Sequence, residues 1–181
     1  MPHTSQSVLI TEEYQKQQHQ LHMENAAYGS ISMIFAPVVS LLMNEANIKE
    51  VLDYGCGKGR LGQNLKVNHD YAYYPYDPAL EHFASPPQPR ELVCCIDVLE
   101  HIEPECLEQV LNHLQALTAH IGFFTIHTKP AKKTLSDGRN AHLIQQPMSW
   151  WLERMSPRFF ILKAYMVPDG FVLIVKNFMK Q

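Results

Sequence analysis

The 181-residue sequence is short of the features that announce a chemistry at once. Its four cysteines, Cys56, Cys94, Cys95 and Cys106, form no CxxC pair. That leaves no cysteine zinc site, and the adjacent pair inside an apolar run reads as buried free thiols in a reducing compartment. There is no cationic excess either: 15 Lys and Arg stand against 18 Asp and Glu, a formal net charge of −3. A large nucleic-acid footprint normally leaves a basic surplus, so a nucleic-acid partner is not favoured by charge. The first residues, "MPHTSQSVLITEEYQ", lack a charged segment followed by an apolar one, so no signal peptide is expected and the cytoplasm is the expected compartment. The longest apolar run, "ISMIFAPVVSLLM", is too short to span a bilayer and carries Pro37. It reads as a packed helix, and no membrane partner is expected.

What is present fits one globular domain over 1–181, with 46% hydrophobic residues and enough length to bury about two-thirds of its unfolded surface. A helical region covers 1–47, and the core covers 48–181. "TEEYQKQQHQLHMEN" is a polar helix with Thr11 as N-cap. A second helix runs from about Ser30, and Pro37 should kink or divide it. Strands then alternate with helices. "KEVLDYG", "YAYYPYD", "ELVCCID" and "IGFFTIHT" read as strands, and "PECLEQVLNHLQALT" as an amphipathic helix opened by Pro104. A helix at "PMSWWLERM" precedes two β-rich runs joined by "PDG", a hairpin turn. Alternation of this kind predicts an α/β fold with a mainly parallel sheet, helices on both faces and an antiparallel C-terminal hairpin. Ligands bind such sheets beyond the carboxyl ends of the strands.

The first strand runs straight into such a place. "VLDYGCGKGRLGQNL" puts Gly55, Gly57 and Gly59 in a turn between strand and helix, where the backbone can approach a ligand. A dinucleotide fingerprint would need a third glycine at position 60, which is Arg60, and a Walker loop would need Ser or Thr after Lys58, which is followed by Gly59. Both phosphate-binding readings lose ground, and S-adenosylmethionine, a nucleoside ligand without phosphates, remains. Asp53 lies within the strand, where an acid suits the ligand's cationic amino group. Asp77 ends the second strand, 22 residues after Gly55, where a carboxylate can accept both ribose hydroxyls.

"VLDYGCGKG", "YPYDPA" and "LVCCIDVLEHIEPE" together resemble the successive motifs of class I S-adenosylmethionine-dependent methyltransferases, over roughly Lys49 to Thr128. The resemblance implies a Rossmann-like sheet. It also implies that Gly55, Gly57 and Asp77 contact the cofactor and that Ile96 to Val98 lie near it. With the flanking Tyr54, Gly59, Pro78 and Asp97, these residues and Asp53 make up the expected cofactor site. Relatives usually have another strand, with an adenine-contacting acid, between the ribose acid and the "DVLEH" strand. Here only about a dozen residues, including "SPPQP", fill that interval, so the third strand is expected to be abbreviated or absent.

Methyl transfer asks the protein to position an acceptor and sometimes to take its proton. Asp97, Glu100, His101 and Glu103 cluster in "DVLEHIEPE", and His127 and His142 follow the fourth strand. Glu100, His101, His127 and His142 are therefore the catalytic candidates. The segment also resembles the acid-x-x-Glu-His stretch of metal-dependent small-RNA 2′-O-methyltransferases. That resemblance would make Glu100 and His101, with a downstream histidine, His127 or His142, ligands of a divalent metal (Glu100, His101 and His142 being the set expected), an option not favoured here. In "KPAKKTLSDGRNAHLIQQPMSWW", Arg139, Asn140 and Trp150 are candidate acceptor contacts, and its cations suit an anionic or nucleotide-like small molecule. Tyr14, His22, Tyr28 and Gly29 are placed to close over the cofactor as a lid. A cofactor-binding module without activity, or a subunit that needs a partner, is the alternative, and the oligomeric state is left open.

Overall fold

The computed structural model describes residues 8–25 and 29–178. Tyr28, one of the expected lid residues, lies outside them. Helix α1 (Glu12–Glu24) starts where Thr11 predicts it, with the threonine side chain accepting from the Tyr14 N–H at 3.3 Å. Helix α2 (Ser32–Glu45) passes through Pro37 as one element, so the proline does not divide it.

A six-stranded sheet follows: β1 (Glu50–Tyr54), β2 (Ala72–Tyr76), β3 (Arg90–Ile96), β4 (Thr118–His127), β5 (Phe159–Val167) and β6 (Gly170–Asn177). Its spatial order is β2-β1-β3-β4-β6-β5. The first four strands are parallel, and β6 runs antiparallel between β4 and β5. The short helix α3 (Arg60–Asn64) follows β1, α4 (Leu107–Leu117) precedes β4, and α5 (Met148–Met155) precedes β5. From β2, at the edge, the chain crosses over β1 to reach β3. That connection contains only a single 3₁₀ turn, Glu81–Phe83. Among the described residues no strand lies outside β2, as the short "SPPQP" interval predicted.

Side-chain alternation along the central strands divides the core in two. Leu52, Val93, Cys95 and Phe124 face α4 and α5, with Leu111 and Trp151 fully buried among them. Their neighbours Val51, Leu92, Cys94 and Phe123 face α2, through Ala36, Val39 and Met43. Truncating either Trp151 or Phe124 to alanine should cost about 3–5 kcal/mol. All four cysteines are buried and unbridged.

Two boundaries differ from the sequence reading. Helix α4 begins at Leu107 rather than Pro104, because 103–107 form tight turns in which Cys106 N–H bonds the Glu103 carbonyl at 2.8 Å. Strand β4 starts directly at Thr118, three residues earlier than expected. No helix among the described residues is long and apolar enough to cross a membrane.

Candidate cofactor and acceptor site

The glycine turn follows β1 at the carboxyl edge of the sheet. Gly55 has φ +74°, and a Cβ there would stand 2.5 Å from Val98 Cγ2. Gly57 has φ +51°, and its Cβ would meet the His22 ring at 3.0 Å. Backbone conformation and close approach both call for glycine at these two positions. Gly59 caps α3 and is not part of the cleft, contrary to its expected cofactor role.

Asp77, at the end of β2, pins this turn. One carboxylate oxygen accepts from Gly57 N–H and the other from Ala79 N–H, each at 2.9 Å. Asp53 is 2% exposed and accepts the Tyr73 hydroxyl at 2.5 Å. Burial pushes its carboxyl up to about 7, the Tyr73 hydrogen bond opposing and the nearby Asp77 adding to the rise. Tyr73 was not anticipated from the sequence; only its place on the strand paired with β1 hints at it.

Gly55, Gly57, Asp53 and Asp77 line one cleft, open to solvent at its mouth. Asp97, Val98, His101 and Glu103 come from the segment after β3, and Ile96, Ile102 and Val110 add apolar wall. Tyr54 and Pro78 also line it, although the Tyr54 ring packs against Tyr76 and its hydroxyl meets His113 Nδ1 at 3.0 Å.

Helix α1 lies across this cleft and contributes Tyr14, Gln18 and His22 to it. It is tied to both ends. Gln15 donates to the Pro78 carbonyl at 2.6 Å, and the Tyr14 hydroxyl to the His101 carbonyl at 2.6 Å. Thr11 donates both its N–H and its hydroxyl to the buried Glu103 carboxylate. Tyr14 also packs on Leu135 and Ala141, so α1 and the 131–143 loop form one cover.

The acceptor candidates gather around Asp97. Glu100 is fully buried; one of its oxygens accepts the His127 N–H at 2.5 Å and the other has no hydrogen-bond partner. Burial, and then Asp97, raise its carboxyl well above the ordinary range. His127 Nδ1 is 3.7 Å from an Asp97 oxygen. The His101 and His142 rings meet edge to face, with centroids 4.8 Å apart. Each donates from Nδ1 to a carbonyl: His101 to Ala141 at 2.7 Å, His142 to Lys129 at 2.6 Å. A carbonyl only accepts, so Nδ1 carries a proton in both rings. Burial lowers His101 to about 4, with Asp97 opposing. Ligand atoms of Asp97, Glu100, His127 and His142 all lie within 4.8 Å of one another.

The acceptor contacts expected from the loop fall differently. Asn140 spends its amide on its own loop, accepting from Ala131 N–H and His142 N–H and donating to the Ala131 carbonyl. Arg139 is paired with Asp137 at 2.7 Å and stands 5.8 Å from the Tyr14 ring, at the outer side of the cover. Trp150 is stacked under Arg154 and borders a separate shallow depression with Pro104 and Leu107, away from the cleft. The sequence marks this loop as a turn, but cannot show that its polar groups are consumed in building it.

No curated protein matches the chain. Solved structures share its fold at low identity. The 1,6-didemethyltoxoflavin-N1-methyltransferase of Burkholderia thailandensis, solved with 1,6-didemethyltoxoflavin and S-adenosylhomocysteine bound, is 14% identical, with 91% of this chain and 89% of that one covered and a TM-score of 0.64. An O-methyltransferase family protein of the same organism is 12% identical, with 90% of this chain but only 63% of that one covered and a TM-score of 0.63. Magnesium protoporphyrin IX methyltransferase of Synechocystis PCC 6803, with S-adenosylmethionine bound, is 17% identical, covers 86% and 83%, and has a TM-score of 0.56. The model of the methyltransferase domain family matches residues 21–173. With that match over most of its length and this sheet, the chain belongs to the methyltransferase domain family and has the class I, S-adenosylmethionine-dependent architecture.

Proposed function

We propose that this protein transfers a methyl group from S-adenosylmethionine to an oxygen or nitrogen of a small, anionic or nucleotide-like acceptor. The observation that carries the reading is a single cleft lined both by Gly55, Gly57, Asp53 and Asp77 and by Asp97 and His101. Solved relatives with S-adenosylmethionine or S-adenosylhomocysteine bound support it.

The residues present fit that cofactor. A carboxylate offers about four lone-pair sites, so Asp77 can hold Gly57 and Ala79 and still accept ribose hydroxyls. Asp53, buried and gripped by Tyr73, suits a cationic amino group, and Val98 and Ile96 give apolar wall beside the turn. The cofactor supplies an already activated methyl. The chain then needs to orient the acceptor, keep water out and receive a proton. Helix α1 covers the site. His101, which lines the cleft and is kept neutral at physiological pH by burial, is the group placed to receive that proton. Lys58 of the glycine turn and Lys133 of the cover both lie near His22, and cations there suit an anionic acceptor. The four buried thiols suit a reducing cytoplasm.

Calorimetric titration with S-adenosylhomocysteine tests the first half of this reading, and methyl transfer to a panel of hydroxyl and amine acceptors tests the second. Saturable binding lost in Asp77→Ala is expected. Binding without transfer to any acceptor in the panel would move the protein to the non-catalytic reading.

A further inference from the structure

Beyond methyl transfer, the acceptor end holds a polar cluster that the cofactor reading leaves unexplained. Asp97 and Glu100 come from the segment after β3, His127 ends β4, and His142 closes the loop behind it. Four ligand-type atoms, two carboxylate oxygens and two imidazole nitrogens, lie within 4.8 Å of one another. We propose that Asp97, Glu100, His127 and His142 form a binding site for one divalent first-row transition-metal ion.

Three observations carry this. Glu100, a residue of the cluster, is fully buried and keeps one carboxyl oxygen without a hydrogen-bond partner. A buried carboxylate oxygen left unpaired is costly, and a bound cation removes that cost. Asp97 likewise has an oxygen without a hydrogen bond, and its backbone is held at φ +60°, an uncommon conformation for a non-glycine residue. Finally, His142 is held by its Nδ1–H, which donates to the Lys129 carbonyl, the outer hydrogen bond that usually leaves Nε2 of a metal-bound histidine for the ion. Ligand atoms of a four-coordinate ion with bonds of about 2.1 Å stand about 3.4 Å apart, so the widest separation here, 4.8 Å, closes by rotamer adjustments of about 0.7 Å on each side.

The donors set the class of ion. Two imidazoles with two carboxylates suit manganese, iron, cobalt or zinc better than calcium or magnesium, which prefer oxygen alone. His101, expected from the sequence as a ligand, is outside the set: its ring lies edge-on to His142, and it is Asp97 and His127 that complete the cluster. An ion here, beside the Asp97 that lines the cleft, would act as a Lewis acid on an acceptor oxygen.

The test is calorimetric titration of the chelator-stripped, full-length chain with Mn²⁺, Co²⁺ and Zn²⁺, with Mg²⁺ as comparison. One ion per chain is expected, bound more weakly by at least about tenfold in Asp97→Asn and in Glu100→Gln. Glu100→Gln keeps an acceptor for the His127 N–H, and near-UV circular dichroism reports whether each variant is folded. His127→Gln should weaken binding, whereas His101→Gln should leave it within about twofold. No binding tighter than about 1 mM for any of the three ions overturns the site. Loss in His101→Gln but not in His127→Gln overturns the ligand set. S-adenosylhomocysteine affinity, measured on the same samples, separates failure of this site from failure of the methyl-transfer reading.

Discussion

The two ends of the cleft are built on opposite principles. At the glycine turn the charged groups are already partnered: Asp77 holds two backbone N–H groups and Asp53 holds a tyrosine hydroxyl. At the other end Asp97 and Glu100 each keep an oxygen without a hydrogen bond, and three imidazoles crowd around them. A satisfied network makes a rigid seat, and an unsatisfied one is a site whose partner comes from outside. On the proposed reading the first group holds the cofactor and the second meets the acceptor.

Substitution at each end should separate the two roles. The largest effect is expected from Asp77→Ala, which removes the ribose acceptor and leaves the Gly57 N–H unpaired. S-adenosylhomocysteine affinity should fall at least about 100-fold, or about 2.8 kcal/mol, by calorimetry. Retained affinity would break the comparison at once. At the opposite end, His101→Gln should lower methyl transfer by about 100-fold while cofactor affinity stays within about twofold. Parallel losses of both would show that the ends are not separable. Gly55→Ala should lower stability by about 2 kcal/mol, since it adds a strained positive φ to a collision with Val98. For a domain of this size the melting temperature would drop by about 4–8 °C.

The ends also oppose each other in pH dependence. Asp53, raised to about 7, holds its proton more tightly when folded, so its contribution is complete below the ordinary carboxylate range and is lost as pH rises towards 7. His101, lowered to about 4, does the reverse: its contribution is complete above about 6.5 and is lost as pH falls towards 4. From pH 4 to 7 these two slopes largely cancel in the parent, so denaturant unfolding should show a rise in stability with pH in Asp53→Asn and a fall in His101→Gln, each at most about 1.4 kcal/mol per pH unit. Equal slopes in the variants and the parent would contradict both assignments. The smallest change is expected from Arg139→Ala, on the outer side of the cover: an unaltered melting temperature, with a raised KM only if the acceptor reaches past α1.

The glycine turn, Asp53, Asp77 and the missing third strand were legible because they are local. A strand, a φ-positive turn and a strand-terminal acid sit at spacings set by the backbone itself, and thirteen residues between β2 and β3 are too few for another strand and its return. The start of α4 was not, because the chain around Pro104 is diverted into turns while the Glu103 carboxylate is bound by Thr11, 92 residues away. Asn140 and Trp150 misled for a similar reason. Polar and aromatic residues in a loop look alike whether they face a ligand or hold the loop together.

Sequence alone thus determined the mainly parallel sheet, its C-terminal hairpin and the glycine turn after β1, since periodicity and turn chemistry act over a few residues. Only tertiary structure decided the acceptor end. Asp97 and Glu100 are separated from His127 and His142 by 27 to 45 residues, and no local preference specifies that β3, β4 and the following loop bring them within 4.8 Å. The parallel pairing of β3 with β4 and the self-bonded loop behind them do so, by packing that the chain acquires only when folded.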